Sequence, residues 1–179
     1  MTPLIINIGA RHPPSHILPI NIYRSRRYLT ITCQTGTMTG ELIFITGATG
    51  FIGSATALAA LKAGYRLRVC VRKPSEKLQT LLLQYSQQVE YVTVPDLTEE
   101  AAFHGKLDGV DYVLHLASPL PRGTDKKDYF IPAVKGTTTL LKEADRVASI
   151  KKVVLTSSMA ALIPITGLPK GGVLKGRPF

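Results

Sequence analysis

The sequence predicts an α/β fold, a doubly wound parallel sheet of about five strands, and three observations carry that prediction. From Glu41 onward, short apolar runs alternate with longer stretches of helical period. Three glycines, Gly47, Gly50 and Gly53, stand where the first apolar run gives way to the first helical stretch. The other candidate binding residues also fall just past apolar runs, and an open α/β sheet binds its ligands beyond the carboxyl ends of its strands.

"LIFIT", Leu42 to Thr46, is the first expected strand. The helix expected next, "FIGSATALAALKAG", places Ile52, Ala55, Ala59 and Ala63 on one stripe and ends at Gly64, a C-terminal cap. "YRLRVCV" (65–71) alternates apolar and basic residues as a second strand, followed by a helix around "SEKLQTLLLQY" with Ser75 as its N-cap. "VEYVTV" (89–94), a short helix near 99–107, "YVLHLA" (112–117), a helix from about 128 to 149 and "KKVVLT" (151–156) complete the order. Helical crossovers of one hand make such strands parallel neighbours or near neighbours.

At 179 residues and 45% hydrophobic content, one core is the expected outcome. The net charge of +10 suggests a nucleic-acid partner until it is mapped along the chain. Arg11, Arg24, Arg26 and Arg27 precede the first acid, Glu41, and Lys170, Lys175 and Arg177 lie at the other end, so 41–165 carries only +3. Basicity that belongs mostly to the ends removes most support for nucleic-acid binding. Cys33 and Cys70 form no CxxC pair and lie near no zinc-like histidine spacing, which points to a reducing compartment and no metal. No run of about 18 apolar residues is uninterrupted, so no membrane partner is expected.

Residues 1–37 are broken by Pro3, Pro13, Pro14 and Pro19 and keep no hydrophobic period, so they read as a poorly ordered extension. Arginine without acid resembles an organelle transit peptide, yet the segment has only Ser15 and Ser25 and is not amphipathic. An upstream extension, with Met38 as an internal start, is favoured over a targeting signal, and a cytoplasmic location over a mitochondrial one.

The glycine stretch "TGATGFIG" carries the chemistry. Gly47 permits a sharp turn off the strand, Gly50 lets main-chain N–H groups approach a pyrophosphate, and Gly53 lets the helix pack tightly on the sheet. The helix N-terminus then favours the anion. The spacing is GxxGxxG rather than GxGxxG, and a glycine turn that binds nothing is the alternative. Where an NAD site places an acid on the ribose 2′-hydroxyl, at the end of the second strand, this chain has Arg72. A guanidinium suits a 2′-phosphate, and Lys73 and Lys77 add positive charge, so NADP is favoured over NAD; a solvated "RKPSEK" loop is the other reading. Asp96 of "PDLT" either accepts from an adenine amino group or caps the helix that starts after it, and the sequence leaves both open. "HLASP" (115–119) offers small residues against which a nicotinamide ribose can lie, with His115 read as a packed strand residue.

With "TGATGFIG", Arg72, "DL" at Asp96, "HLASP", "IPAVKGTTTLL" and "VVLTSSMAAL" in this order, residues 41–165 resemble the extended short-chain dehydrogenases/reductases, of the NAD-dependent epimerase/dehydratase superfamily. The nearest branch is that of the dihydroflavonol, cinnamoyl-CoA and methylglyoxal reductases. The resemblance implies a Rossmann-type domain over 38–165 and NADPH-dependent reduction of an aldehyde or ketone, a small-molecule carbonyl, to an alcohol. The implied cofactor contacts are Gly47, Thr49, Gly50, Phe51, Ile52, Gly53, Arg72, Lys77, Asp96, Leu97, Leu116, Ala117 and Ser118. Ser158 matches the family's catalytic serine, whose hydroxyl would bind the substrate carbonyl oxygen.

In that family a tyrosine then protonates the developing alkoxide, and a lysine four residues on lowers its pKa. None of this chain's seven tyrosines has lysine at that spacing, and none follows Ser158. The end, "GLPKGGVLKGRPF" (167–179), has no strand or helix period, and 166–179 reads as an irregular tail. The expectation is a truncated member, lacking its substrate lobe and with its fifth strand an uncovered edge. The second functional reading is a dinucleotide-binding fragment without turnover.

Overall fold

A computed structural model describes residues 40–119 and 125–158, together with the backbone of three strands before them: β1 (Ile5–Gly9), β2 (Tyr23–Arg24) and β3 (Leu29–Thr30). The main unit runs β4 (Leu42–Thr46), α1 (Phe51–Lys62), β5 (Arg66–Val71), α2 (Glu76–Leu82), β6 (Val89–Thr93), β7 (Tyr112–His115), α3 (Phe130–Asp145) and β8 (Lys152–Thr156). Its sheet has the order β1-β8-β7-β4-β5-β6, with β2 and β3 paired separately. The pairs β4–β5, β5–β6, β4–β7 and β7–β8 are all parallel, so the five expected strands form the doubly wound sheet. Strand order reverses beside β4, where β5 and β7 flank it on opposite sides.

The sixth strand was not legible in the sequence. β1 pairs antiparallel with β8 from Ile5↔Thr156 to Gly9↔Lys152, so the outer edge of β8, expected to be bare, is hydrogen-bonded. Pairing of this kind joins segments far apart in sequence and leaves no local period to read. The remaining residues of 1–37, Cys33 among them, and the tail at 166–179 lie outside the described residues.

Alternation along β4 builds a core on both faces. Leu42 and Phe44 join Val94, Phe103, Leu107, Val113 and Leu140 on one side, the side of α3. Ile43 and Ile45 join Ala57, Leu61, Leu67, Val69, Leu78 and Leu82 on the other, the side of α1 and α2. A strand buried on both faces reads as a continuous apolar run, as "LIFIT" does.

The local signals hold at several ends. Ser75 caps α2, its hydroxyl accepting from Leu78 N–H at 3.4 Å. Gly64, at φ +87°, ends α1: its N–H donates to Leu61 O at 3.0 Å and Tyr65 N–H donates to Ala60 O at 3.2 Å, the two bonds of a Schellman closure. Elsewhere the elements are shorter. The segment near 99–107 holds a 3₁₀ turn, Glu100–Phe103, and the long helix spans Phe130–Asp145. The stripe of Ile52, Ala55, Ala59 and Ala63 needs correction. Ile52, Ala55 and Ala59 are exposed and Ala63 half-buried; the buried face is Gly53, Ala57 and Leu61. An alanine-rich helix is apolar all round, so its own pattern does not choose a face. Contact at Gly53 does.

Candidate functional site

The carboxyl tips of β4, β5, β6 and β7 border one cleft of about 890 Å³. Its floor begins at Gly47, which follows β4 at φ +77°, a left-handed conformation that glycine adopts without cost. A Cβ there would also lie 2.6 Å from Ala117 N, so the turn leaving β4 rests directly on the backbone leaving β7. At Gly53 a Cβ would lie 2.1 Å from Gly47 O, so the first turn of α1 sits against the loop itself. Gly50 N–H donates to Gly47 O at 3.0 Å, folding the loop back on itself.

This geometry aims the start of α1 at the cleft. Gly50 is the N-cap, offers no side chain to the free N–H groups, and no acidic residue occupies the first turn. The positive end of the helix dipole is therefore left for an external anion. Neither the loop nor the helix start carries a side chain that fills the space above it: Gly47, Thr49 and Gly50 line the cleft. The donor set and the small loop fit a dinucleotide's pyrophosphate.

β5 hands the chain to Arg72 and Lys73 before Pro74 blocks further extension, and both cations are exposed on the cleft wall. Beyond β6, Asp96 and Leu97 form the next part of that wall. Asp96 Oδ1 accepts from Thr98 N–H at 2.8 Å, a local turn-capping contact. That bond, the Thr98 side chain and, more weakly, the charges of Lys135 and Arg72 hold its carboxyl below the ordinary value. Leu116, Ala117 and Ser118 close the side after β7.

Other predicted residues lie elsewhere. Phe51 and Lys77 border a separate recess of about 220 Å³ between α1 and α2, and the Phe51 side chain is 94% exposed. Ile52 is outside both cavities, so what Phe51 and Ile52 offer toward the cleft is their first-turn N–H groups rather than their side chains. Gly53 is buried. Ser158, two residues past β8, is exposed and does not line the cleft.

The structure adds residues that sequence reasoning passed over. Pro132, Ala133, Gly136 and Thr137, from the start of α3, form the wall opposite the glycine loop. Gly136, buried inside a helix, was the available signal: a Cβ there would meet Leu97 Cβ at 3.4 Å. Cys70 lies at the base of the cleft, and burial pushes its thiol up to about 12, against the weaker pull of Lys106, which favours the neutral thiol over the nucleophilic thiolate. His115 is 6% exposed and hydrogen-bonded on both ring nitrogens, in keeping with a packed residue rather than an acid or base open to substrate. Among the described residues no three His, Cys, Asp or Glu converge as a metal site, and no helix is long and apolar enough to cross a membrane.

The profile of the "NAD dependent epimerase/dehydratase family" matches residues 43–171. The chain is 69% identical over 138 residues to "Ketoreductase sphI" of Aspergillus fumigatus, covering 77% of this chain and 41% of that protein. Among solved structures it is similar to yeast methylglyoxal/isovaleraldehyde reductase Gre2 complexed with NADPH (33% identity, TM-score 0.59, 70% of this chain and 39% of that one). Gre2 of Candida albicans complexed with NADPH is alike at 30% identity and TM-score 0.61, with 70% and 39% covered. The chain thus spans about two-fifths of the length of these relatives.

Proposed function

The chain belongs to the NAD dependent epimerase/dehydratase family, and from that premise we propose that residues 40–158 hold NADP(H) for reduction of a small aldehyde or ketone carbonyl to an alcohol. The observation that carries the proposal is the cleft at the strand tips, where the uncapped start of α1, Arg72 and the backbone after β7 face one space. Its volume of about 890 Å³ falls within the range of cofactor sites. The pyrophosphate would lie against the N–H groups of 50–53, a 2′-phosphate against Arg72 with Lys73 beside it, and the nicotinamide ribose along Leu116, Ala117 and Ser118. Lys77 would act on the 2′-phosphate from the neighbouring recess. The bound cofactor would supply the hydride. Support for NADPH over NADH comes from Arg72, a bidentate phosphate donor in place of an acid, and from the NADPH complexes of the two Gre2 relatives.

Ser158 would donate its hydroxyl to the substrate carbonyl oxygen. Its match to the family's serine supports this role, and its place beyond β8 keeps it near the same sheet end. The general acid is a separate matter, since no tyrosine here stands four residues before a lysine. General acid–base catalysis contributes about 10²- to 10⁴-fold, so this chain is expected to bind NADPH with little turnover. A reducing, cytoplasmic setting agrees with the buried free thiol of Cys70.

Titration of the 179-residue chain with NADPH and NADH, read by nucleotide fluorescence or calorimetry, tests the proposal. Saturable binding of NADPH, tighter than NADH, is expected. Binding of neither nucleotide overturns it, and brisk reduction of small aldehydes would show that another group supplies the proton.

A further inference from the structure

Thr46 and His115 are register partners at the last positions of β4 and β7. Thr46 Oγ1 lies 2.7 Å from His115 Nδ1 and 3.2 Å from Ala117 N, and His115 Nε2 lies 3.2 Å from Thr137 Oγ1. A main-chain amide only donates, so Thr46 Oγ1 accepts from Ala117. The hydroxyl's single hydrogen then needs an acceptor, and the one that the described residues bring to it is His115 Nδ1. Nδ1 is therefore the bare nitrogen and Nε2 carries the hydrogen, given to Thr137 of α3. The opposite tautomer would aim two donors at Thr46 Oγ1 and strand its own hydrogen in the interior, a costly arrangement.

We propose that His115 is a positioning residue for the dinucleotide: as the Nε2–H tautomer it holds the Thr46 hydroxyl against Ala117 N–H and so fixes the seam on which the glycine loop rests. The seam is tight, since a Cβ on Gly47 would lie 2.6 Å from Ala117 N and 2.9 Å from Ala117 Cα, so rotation of that peptide displaces the loop. Through Thr137 the same ring ties in the α3 wall of the cleft. Burial keeps the ring neutral, pushing it down to about 4 from 6.5, so the arrangement stands at pH 7. The inference rests on the dinucleotide reading above and deepens it.

Long-range proton–nitrogen spectra of the ¹⁵N-labelled chain at pH 7 decide the tautomer without any ligand. Protonated Nε2 with bare Nδ1 is expected; protonated Nδ1 overturns the proposal. His115→Leu removes the acceptor, and NADPH affinity should fall about tenfold, with Ala117 amide exchange quickened by a similar factor. His115→Asn, whose Oδ1 stands near the place of Nδ1, should recover most of both, and Thr46→Val should match His115→Leu, with the double variant no worse than either single one. Wild-type affinity in His115→Leu, or full additivity in the double variant, overturns the proposal. If His115→Leu does not fold, the wild-type tautomer and the Asn and Val variants still decide. Failure of the wild-type chain to bind any nucleotide would instead sink the cofactor reading, and is distinct because tautomer and Ala117 exchange are read in its absence.

Discussion

At the amino-terminal ends of β4, β7 and β8, the residues just before or at the start of three neighbouring strands bind one another. Lys151 Nζ lies 2.9 Å from both Glu41 Oε1 and Asp111 Oδ1, and Tyr112 donates its hydroxyl hydrogen to Glu41 at 3.0 Å. Asp111 Oδ2 also accepts from Leu42 N–H at 2.9 Å, and Lys151 stands over the Tyr112 ring. At the carboxyl tips of the same sheet, the glycine loop has a helix start without acid or cap and opens onto a cleft. β4 thus begins among paired charges and leads at its other end into backbone donors directed outward. The contrast teaches where to look for function: polar groups satisfied by each other hold strands in place, and polar groups aimed at open space bind something else.

Gly53→Ala should break the contrast most severely. Its Cβ meets backbone on all three nearest atoms, so the loop must move rather than a flexible side chain. A loss of about 1–3 kcal/mol of stability is expected, with NADPH binding weakened more than tenfold, measured by denaturant melts and titration. Arg72→Ala should sharpen the contrast next: NADPH affinity falls about 10- to 100-fold, as for one charge-assisted bond, while NADH affinity and stability stay put.

The two ends also differ in their response to pH. His115 has its pKa depressed by burial from 6.5 to about 4, so the unfolded chain takes up the proton first. Stability from this group is complete above pH 6.5 and declines as pH falls toward 4, by about 3 kcal/mol at most. His115→Asn should flatten that part of an acid melting series. Lys151 is shifted the other way, raised by its hydrogen bonds to Glu41 and Asp111. Its contribution is present below the ordinary lysine value of 10.5 and fades only in stronger alkali. Lys151→Met should have the smallest effect, about 0.5–1 kcal/mol because the ammonium is partly exposed, with NADPH affinity unchanged within about twofold.

What was legible in the sequence depends on the range of each interaction. β4, the Ser75 cap and the Gly64 closure are decided by residues within a few positions, and their signals were plain. The glycine loop and Arg72 were legible because strand, turn and helix come in one short stretch. The face of α1 was not, since alanine at many positions erases the periodic contrast and Gly53's approach to Gly47 decides instead. The bond from Thr46 to His115 spans 69 residues, and β1 meets β8 over a far longer interval, so neither leaves a local mark. Asp96 shows a middle case: it closes a local turn at Thr98 rather than capping the helical turn that follows, whose N-cap is Glu99, and it also stands on the cleft wall.

β8 has one lateral side facing β7 and the other facing β1, so its capacity for main-chain bonding is saturated along its length. Any additional polypeptide run, from this molecule or another, can pair with β8 itself only by exchange with residues 5–9. Insertion of a strand beside β8 is thereby a displacement reaction, paced by how often the first strand lets go, whereas addition along the outer side of β1, the end of the sheet among the described residues, displaces nothing.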